Sequence, residues 1–266
     1  MEITIIIPTY RPQNYIFECL IALKNQSLPK EEFEVLVVLN GEKEPYYTNI
    51  YNFIIEKQIA NIRLMYIEEN GVSKARNIGL NNAKGKYVTF IDDDDYVDNN
   101  YLEVMYNVIK TKKDAISCTN YRHFDEKTLE EIKCTRYLWG DETTKIEKHR
   151  KVFSSIGAKL IPISIIENIR FNEKLKNSED ALFMTLISKN IKEICIVSKK
   201  TYYNRRVRAF SANKKKKPLK EIIYVFMILI KVHLALLLDI KYNKVFIFLR
   251  ILAIFKGTLY QLKRSL

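Results

Sequence analysis

The chain has 266 residues, enough for one large α/β core or for one core with a small appendage. Seven glycines and six prolines are too few for a fibrous or disordered protein. The net charge of +13 is uneven, because residues 199–266 hold 17 Lys and Arg against two acids and residues 1–198 are close to neutral. Such a basic C-terminal region implies an anionic partner: lipid headgroups, nucleic acid or a phosphorylated substrate.

Apolar runs and amphipathic stretches alternate through the first 200 residues. Short apolar runs bounded by turn residues predict buried strands, and apolar residues at helical spacing predict helices. The predicted strands are residues 3–7, 33–39, 62–67, 87–91, 115–121, 159–163 and 194–197. The predicted helices are residues 14–25, 47–59, 72–83, 101–110 and 179–188. This alternation predicts an α/β fold with a mostly parallel sheet flanked by helices.

Two further regions depart from this alternation. Residues 126–151 have weak periodicity, with Tyr137, Leu138 and Trp139 as their apolar cluster, and are predicted to be irregular. Residues 214–218, KKKKP, are predicted to be a linker, and residues 219–240 and 243–262 to form a C-terminal helical hairpin.

The beginning of the chain and its cysteines indicate a reducing compartment. No signal peptide is predicted, because Met1-Glu2 leads directly into a strand. Four cysteines, at positions 19, 118, 134 and 195, lack the spacing of a zinc site. Buried free thiols are therefore expected rather than disulfides.

Four adjacent aspartates, Asp92 to Asp95, follow the apolar run 87–91. Ionised carboxylates near a core are costly unless they are paired or bind a cation. Oxygen ligands of this kind suit Mg²⁺, Mn²⁺ or Ca²⁺ rather than zinc. A solvated acidic turn is the alternative, but the buried strand before the aspartates favours a metal site.

Polar segments also follow the first two predicted strands. Pro8-Thr9-Tyr10 ends the first strand and Asn40-Gly41 ends the second. Ligands of parallel α/β sheets bind at the carboxyl ends of the strands. These segments and the aspartates are therefore expected to meet at one edge.

Three blocks in this order resemble the inverting family 2 glycosyltransferases of the GT-A fold, of the bacterial cell-surface polysaccharide type. They are IIIPTYRP, GVSKARNIGLNNAKGKYVTFIDDDD and NSEDALF, and the resemblance covers about residues 1–210. It implies a GT-A-like, Rossmann-type sheet, a nucleotide-diphosphate sugar donor, Mn²⁺ or Mg²⁺, and direct displacement at the anomeric carbon. A UDP-sugar is the first expectation, although the family's acidic residues after the second strand are replaced here by Asn40-Gly41, which puts uridine in doubt.

The resemblance also implies roles on the donor side. Asp94 matches the last carboxylate of the family's DxD motif and is expected to bind the metal together with Asp92. Asp92 and Asp93 are also candidates for the ribose or for metal-bound water. Arg76, in the ARN block, is expected to contact a phosphate or the aspartates, and a surface arginine is the alternative. The residues expected around the nucleotide are Pro8, Thr9, Tyr10 and Asn40, with a plain strand-to-helix turn as the alternative for the first three.

On the acceptor side, Asp180 matches the general base and Glu179 is expected to bind acceptor hydroxyls. The alternative is that both acids serve the helix dipole. Arg205 and Arg206, with Arg208, resemble the family's closing segment over the diphosphate, although part of this signal is the start of the basic tail.

The predicted hairpin mixes apolar runs with basic residues. Lys231 and His233 interrupt its first helix, so an interfacial amphipathic hairpin on an anionic membrane is favoured over a spanning pair. Packing on the core, or an oligomer interface, is the alternative.

The sequence therefore predicts a metal-dependent inverting glycosyltransferase at the cytoplasmic face of the cell membrane, acting on a glycan or lipid-linked acceptor. Its expected parts are a catalytic domain over 1–212, with a donor half to about 110 and an acceptor half after it, and a tail over 213–266. A sugar nucleotidyltransferase would show a Gly-rich loop with a lysine after the first strand. A nucleic-acid-binding protein would interleave basic and aromatic residues on the main domain. A non-catalytic scaffold of this fold is the remaining alternative.

Overall fold

The computed structural model describes residues 1–133, 142–146, 148–208 and 216–265. The predicted cluster of Tyr137, Leu138 and Trp139 lies outside the described residues, as do Cys134 and the first two lysines of the predicted linker. The other three cysteines are buried free thiols, as predicted.

The strands agree with the predicted ones through most of the chain. They are β1 Ile3–Thr9, β2 Phe33–Asn40, β3 Ile62–Ile67, β4 Tyr87–Phe90, β5 Tyr96–Val97, β6 Ala115–Asp125, β7 Glu131–Ile132, β8 Glu142–Thr144, β9 Lys159–Pro162 and β10 Glu193–Val207. The helices are α1 Tyr15–Lys24, α2 Tyr46–Glu56, α3 Val72–Asn82, α4 Tyr101–Ile109, α5 Ile163–Ile166, α6 Glu179–Ile187, α7 Leu219–Leu238 and α8 Lys244–Ser265.

The strands form one sheet in the order β3-β2-β1-β4-β9-β6-β10-β5. Pairing is parallel from β3 through β4, as predicted, and again between β6 and β10. Strand β9 lies antiparallel between β4 and β6, so the sheet is mixed rather than mostly parallel. Over the described residues of its connection from β6, strand β9 is preceded by β7, β8 and the 3-10 helix Arg150–Ser154 and not by the α-helix that is usual in a parallel crossover.

Strand β10 is 15 residues long, although its predicted extent was residues 194–197. The register against β6 shifts between Val197 and Tyr202, which marks a bulge, and pairing then continues to Val207. The predicted closing segment therefore begins inside the sheet. The bulge brings Arg205 and Arg206 beside the aspartates.

The C-terminal hairpin packs on the catalytic core through one face. Phe246 and Ile247 are fully buried with Phe153 and Met184, and the rings of Phe246 and Phe153 are 4.8 Å apart. Both helices are long and apolar enough to span a membrane by length and composition. The alternative that the tail packs on the core is therefore correct for the inner face of the hairpin.

Candidate active site

A cavity of about 630 Å³ opens at the carboxyl ends of β1, β2 and β4. The convergence predicted from the strand ends is therefore present. The lining residues are Pro8, Tyr10, Arg11, Pro12, Gln13, Tyr15, Asn40, Asn70, Gly71, Val72, Asp92, Asp93, Asp94, Asp95, Arg205, Arg206 and Arg208. Helix α3 begins at this cavity, so its positive end favours an anionic ligand there.

Arg76 joins two groups of carboxylates beneath the cavity. Its side chain is 5% exposed, and Nη1 lies 2.6 Å from Asp180 Oδ1 and 3.3 Å from Glu179 Oε1. Nη2 lies 3.3 Å from Asp92 Oδ1. Burial opposes the positive charge, but the three carboxylates outweigh it and raise the pKa of Arg76. The prediction that Arg76 contacts the aspartates is confirmed, and the surface alternative is wrong.

The four aspartates have different surroundings. Asp93 accepts a hydrogen bond from the Thr9 hydroxyl, and Arg208 Nε lies 2.7 Å from Asp94 Oδ2. Asp95 is buried and accepts the backbone N–H of Arg206 at 2.8 Å. Burial and the neighbouring carboxylates raise the pKa of Asp93 to about 7, and raise the pKa of Asp94 and Asp95 as well.

Three of these carboxylates fit a divalent cation. Oxygen atoms of Asp92, Asp94 and Asp95 all lie within 4.8 Å of one another. Such an all-oxygen donor set suits Mg²⁺ or Mn²⁺. Burial raises the pKa of Asp94 and Asp95, the neighbouring carboxylates add to this effect, and a bound cation would oppose it. Asp92 and Asp94 were predicted as ligands, and Asp95 is a third candidate that the prediction omitted.

The residues after β1 and β2 divide between lining the cavity and holding its wall. Pro8 and Tyr10 line it, and the half-exposed Tyr10 ring has the Arg11 guanidinium carbon 5.5 Å from its centroid. Thr9 is buried beneath, where it holds Asp93. Asn40 donates to the Thr9 carbonyl at 2.7 Å and accepts the Gly71 N–H at 3.0 Å. The Asn40 amide therefore ties two loops together at the cavity.

The three arginines of β10 and its end do not have equal freedom. Arg206 is buried, lies 2.5 Å from Glu18 Oε2 and stacks over the Tyr15 ring. These contacts hold it in place and make it part of the wall. Arg205 is half-buried at the cavity, where Asp95 and Asp92 outweigh burial and raise its pKa. Of the two predicted donor contacts, Arg205 is thus the one available to a diphosphate.

Glu179 and Asp180 form the first turn of α6. Besides Arg76, Asp180 Oδ2 accepts the backbone N–H of Ile156 at 3.3 Å. Burial and the Asp180 charge raise the pKa of Glu179 against the pull of Arg76. The predicted base and Asp92, one of the two predicted metal ligands, thus share one guanidinium, although they are 88 residues apart in the chain.

The sequence prediction missed several cavity residues. Arg11 and Tyr15 follow β1, and Asn70 and Gly71 follow β3. Their position after these strands could have identified them, because the carboxyl ends of neighbouring parallel strands share one edge of the sheet. Gly41 completes this wall, because its φ is +85° and a Cβ there would lie 1.9 Å from Asn70 Oδ1.

Known proteins of similar sequence are glycosyltransferases. The family description "Glycosyl transferase family 2" matches residues 4–179. Glycosyltransferase GlyA of Streptococcus pneumoniae is 31% identical over 180 residues, 66% of this chain and 23% of GlyA. The poly(ribitol-phosphate) beta-N-acetylglucosaminyltransferase TarS of Staphylococcus aureus is 29% identical over 216 residues, 76% of this chain and 35% of TarS. The chain thus spans about a quarter to a third of the length of these relatives.

Solved structures of similar fold agree. The crystal structure of S. aureus TarS 1–349 has a TM-score of 0.77 at 22% identity, and the alignment covers 100% of this chain and 73% of the TarS chain. The complex of TarS 1–349 with UDP-GlcNAc has a TM-score of 0.75 at 24% identity, with 92% and 68% covered. The family match covers more than half of the chain. The chain therefore belongs to glycosyl transferase family 2 and has a GT-A-like fold.

Proposed function

We propose that the protein is a metal-dependent, inverting glycosyltransferase that moves a sugar from a nucleotide-diphosphate sugar to a glycan or lipid-linked acceptor in surface polysaccharide synthesis. The observation that carries the proposal is Arg76, which contacts both Asp92, one of the metal-binding candidates, and the predicted base Asp180. Donor and acceptor carboxylates therefore meet at one place. TarS, which forms complexes with UDP and UDP-GlcNAc, supports a UDP-sugar as donor.

The proposed reaction is a single displacement. Asp180 takes the proton of the acceptor hydroxyl, whose oxygen bonds to the anomeric carbon while the bond to the diphosphate oxygen breaks. Glu179 contacts acceptor hydroxyls, and Arg76 fixes the orientation of Asp180. Asp92, Asp94 and Asp95 would hold Mg²⁺ or Mn²⁺, which supplies Lewis-acid stabilisation of the leaving diphosphate. Arg205 adds positive charge on the same side.

The other functions predicted from the sequence have less support. A nucleotidyltransferase would need a phosphate loop after β1, where this chain has Pro8-Thr9-Tyr10-Arg11. A non-catalytic scaffold has no need for a buried arginine that holds Asp180 and Asp92 together.

We keep the predicted division of the catalytic domain at about residue 110. Most residues that line the donor cavity then belong to the donor half, and the predicted base belongs to the acceptor half.

We also propose that the hairpin binds the protein to the cytoplasmic face of the cell membrane. The hairpin has an apolar outer face of exposed residues at helical spacing: Ile223, Met227, Leu234, Leu238, Val245, Phe248, Leu252, Phe255 and Leu259. Exposed lysines lie among them at 220, 231, 244, 256 and 263, whereas the two acids of the described hairpin, Glu221 and Asp239, are half-buried. This face matches an anionic bilayer better than a second copy of itself, which would carry the same positive charge.

Asp180→Asn tests the catalytic assignment. The asparagine keeps the shape of the side chain but cannot accept the proton, so turnover should fall about 10²–10⁴-fold. Donor affinity should stay near that of the parent enzyme, because Asp180 does not line the donor cavity. Half-exposed Asp114→Asn, directly before β6 and outside the cavity lining, is the control for a lost acid and should leave turnover unchanged. A collapse of donor affinity with turnover preserved at saturation would show that Asp180 is not the base.

A further inference from the structure

A second cavity, of about 290 Å³, lies between α6, α7 and α8. Apolar residues such as Val225, Leu229 and Ile254 form much of its wall. Two buried polar side chains, His233 and Arg250, also line it. The volume is at the lower end for ligand pockets, which suits a small group or the head of a larger molecule.

Arg250 is a buried cation without an acidic partner in the described part of the chain. The residue is 6% exposed, and its Nε has no hydrogen-bond partner among the described residues. Within the same part of the chain its other two nitrogens make long contacts of 3.4 Å, to Ser154 Oγ and to the Ala181 carbonyl. Burial, with a smaller contribution from Arg150, lowers the pKa of Arg250 to about 10. A buried charge of this kind is costly unless an anion joins it.

His233 offers a complementary atom in the same cavity. It is 1% exposed, and its Nδ1 lies 2.8 Å from the Leu229 carbonyl. Because a carbonyl only accepts, Nδ1 carries the hydrogen, and the neutral ring presents the lone pair of Nε2. Nε2 is buried and has no hydrogen-bond partner in the residues that the structure describes. The cavity can therefore bind an anion through the Arg250 guanidinium and accept a hydrogen bond from a hydroxyl through His233 Nε2.

We propose that this cavity binds a phosphate ester that carries a neighbouring hydroxyl, with the phosphate on Arg250 and the hydroxyl on His233. Phosphate suits the planar guanidinium, which offers several donors to its oxygens. Ser178 and Ala181 line the same cavity and flank Glu179 and Asp180. A ligand held there lies beside the turn that carries the acceptor carboxylates, so the site would hold the phosphate of an acceptor. That role rests on the proposed function, whereas the binding itself does not.

Calorimetric titration of the full chain with sn-glycerol 3-phosphate tests the site, with EDTA present so that no metal recruits phosphate to the aspartates. We expect saturable binding that Arg250→Met weakens at least tenfold. Lys256→Met, which removes an exposed charge from the same helix, should leave the affinity unchanged. Gly257→Leu should also weaken binding, because a Cβ at Gly257 meets no atom within 4 Å and the larger side chain can fill the cavity mouth.

Phosphatidylglycerol vesicles form the second arm of the experiment. Binding of soluble glycerol 3-phosphate that depends on Arg250 assigns the site to a free ester or a glycan phosphate. Binding that depends on Arg250 with vesicles alone assigns it to a lipid headgroup. The proposal is overturned if neither probe binds, or if the affinity of Arg250→Met and Gly257→Leu equals that of the parent. These outcomes would leave the proposed sugar transfer untested, because transfer is measured in a separate assay with donor and metal.

Discussion

Arg76 sets the spacing between the aspartates after β4 and the acids at the start of α6, because its two terminal nitrogens contact Asp92 and Asp180. Removing a guanidinium from three partly buried carboxylates would leave their charges facing one another. The residue therefore has both a structural and a functional reason to be an arginine. A lysine offers one nitrogen where this site uses two.

His233 provides a pH-dependent contribution to stability. Burial lowers its pKa to about 4, with a smaller opposing effect from the Leu229 carbonyl. An unfolded histidine titrates near pH 6.5, so between pH 6.5 and 4 the unfolded state binds the extra proton. Stability from this residue is therefore present above pH 6.5 and is lost as the pH falls.

We expect His233→Phe to remove this dependence. Relative to the variant, the parent protein should lose about 2–3 kcal/mol of unfolding free energy between pH 7 and pH 4.5. Urea denaturation of both proteins at the two pH values measures the difference. A difference between parent and His233→Phe that does not vary with pH would mean that His233 is not buried as a neutral ring.

Single residues show where prediction from sequence ends. Asp92, Asp94 and Arg76 follow from motif and position, and the structure brings them together. The engagement of Asn40 with two backbone groups and of Arg206 with Glu18 does not follow, because it depends on which loops approach in space. The residue type limits which hydrogen-bond or ion-pair partners are possible, but the fold determines which of them lies within reach.

Helix α8 presents two phenylalanines to different environments. Phe246 is fully buried against Phe153, whereas Phe248 is 52% exposed. Phe246→Ala should lower the free energy of unfolding by about 3–5 kcal/mol, because it leaves a cavity in the core. Phe248→Ala is the matched control and should change stability by less than about 0.5 kcal/mol. Thermal and urea denaturation distinguish this packing from a tail that only touches the domain, for which both variants would be neutral.

Elements with a simple apolar period were predictable. Strands β1 to β4 and helices α1 to α4 match their predicted ranges closely, since burial on a covered sheet requires such patterns. The second part of β10 was missed because the polar residues 198–201 interrupt the apolar pattern and the register shifts there. Strand β5 has two residues and is too short to give a periodic signal. The direction of β9 depends on its connection, which local composition does not encode.

The net positive charge of the whole molecule lies in residues 199–266, and the hairpin, residues 219–266, holds eight Lys and Arg against two acids. Each basic residue near an anionic leaflet contributes about 1 kcal/mol, an attraction that salt screens, while apolar burial persists in salt. We therefore expect binding to anionic vesicles that high salt reduces but does not abolish. Phe248→Ser with Phe255→Ser should weaken the binding that remains in salt.

Vesicle co-sedimentation at low and high salt measures both effects. The control is Tyr51→Ser, which changes an exposed aromatic residue on α2 instead of the hairpin and should bind like the parent. If the parent ignores anionic vesicles and forms a defined oligomer that the double variant breaks, the outer face is a subunit interface. Truncating the hairpin is a poor test, because it would uncover Phe153 and Met184.

Metal-dependent transfer with inversion is the central claim, and NMR of the product from a UDP-sugar panel tests it most directly. With Mn²⁺ and an acceptor glycan, the new glycosidic bond should have the opposite anomeric configuration to the donor. EDTA or Asp94→Ala should abolish product formation, while half-exposed Asp114→Ala should not. Full activity in EDTA, or a product that keeps the donor's configuration, would contradict the account.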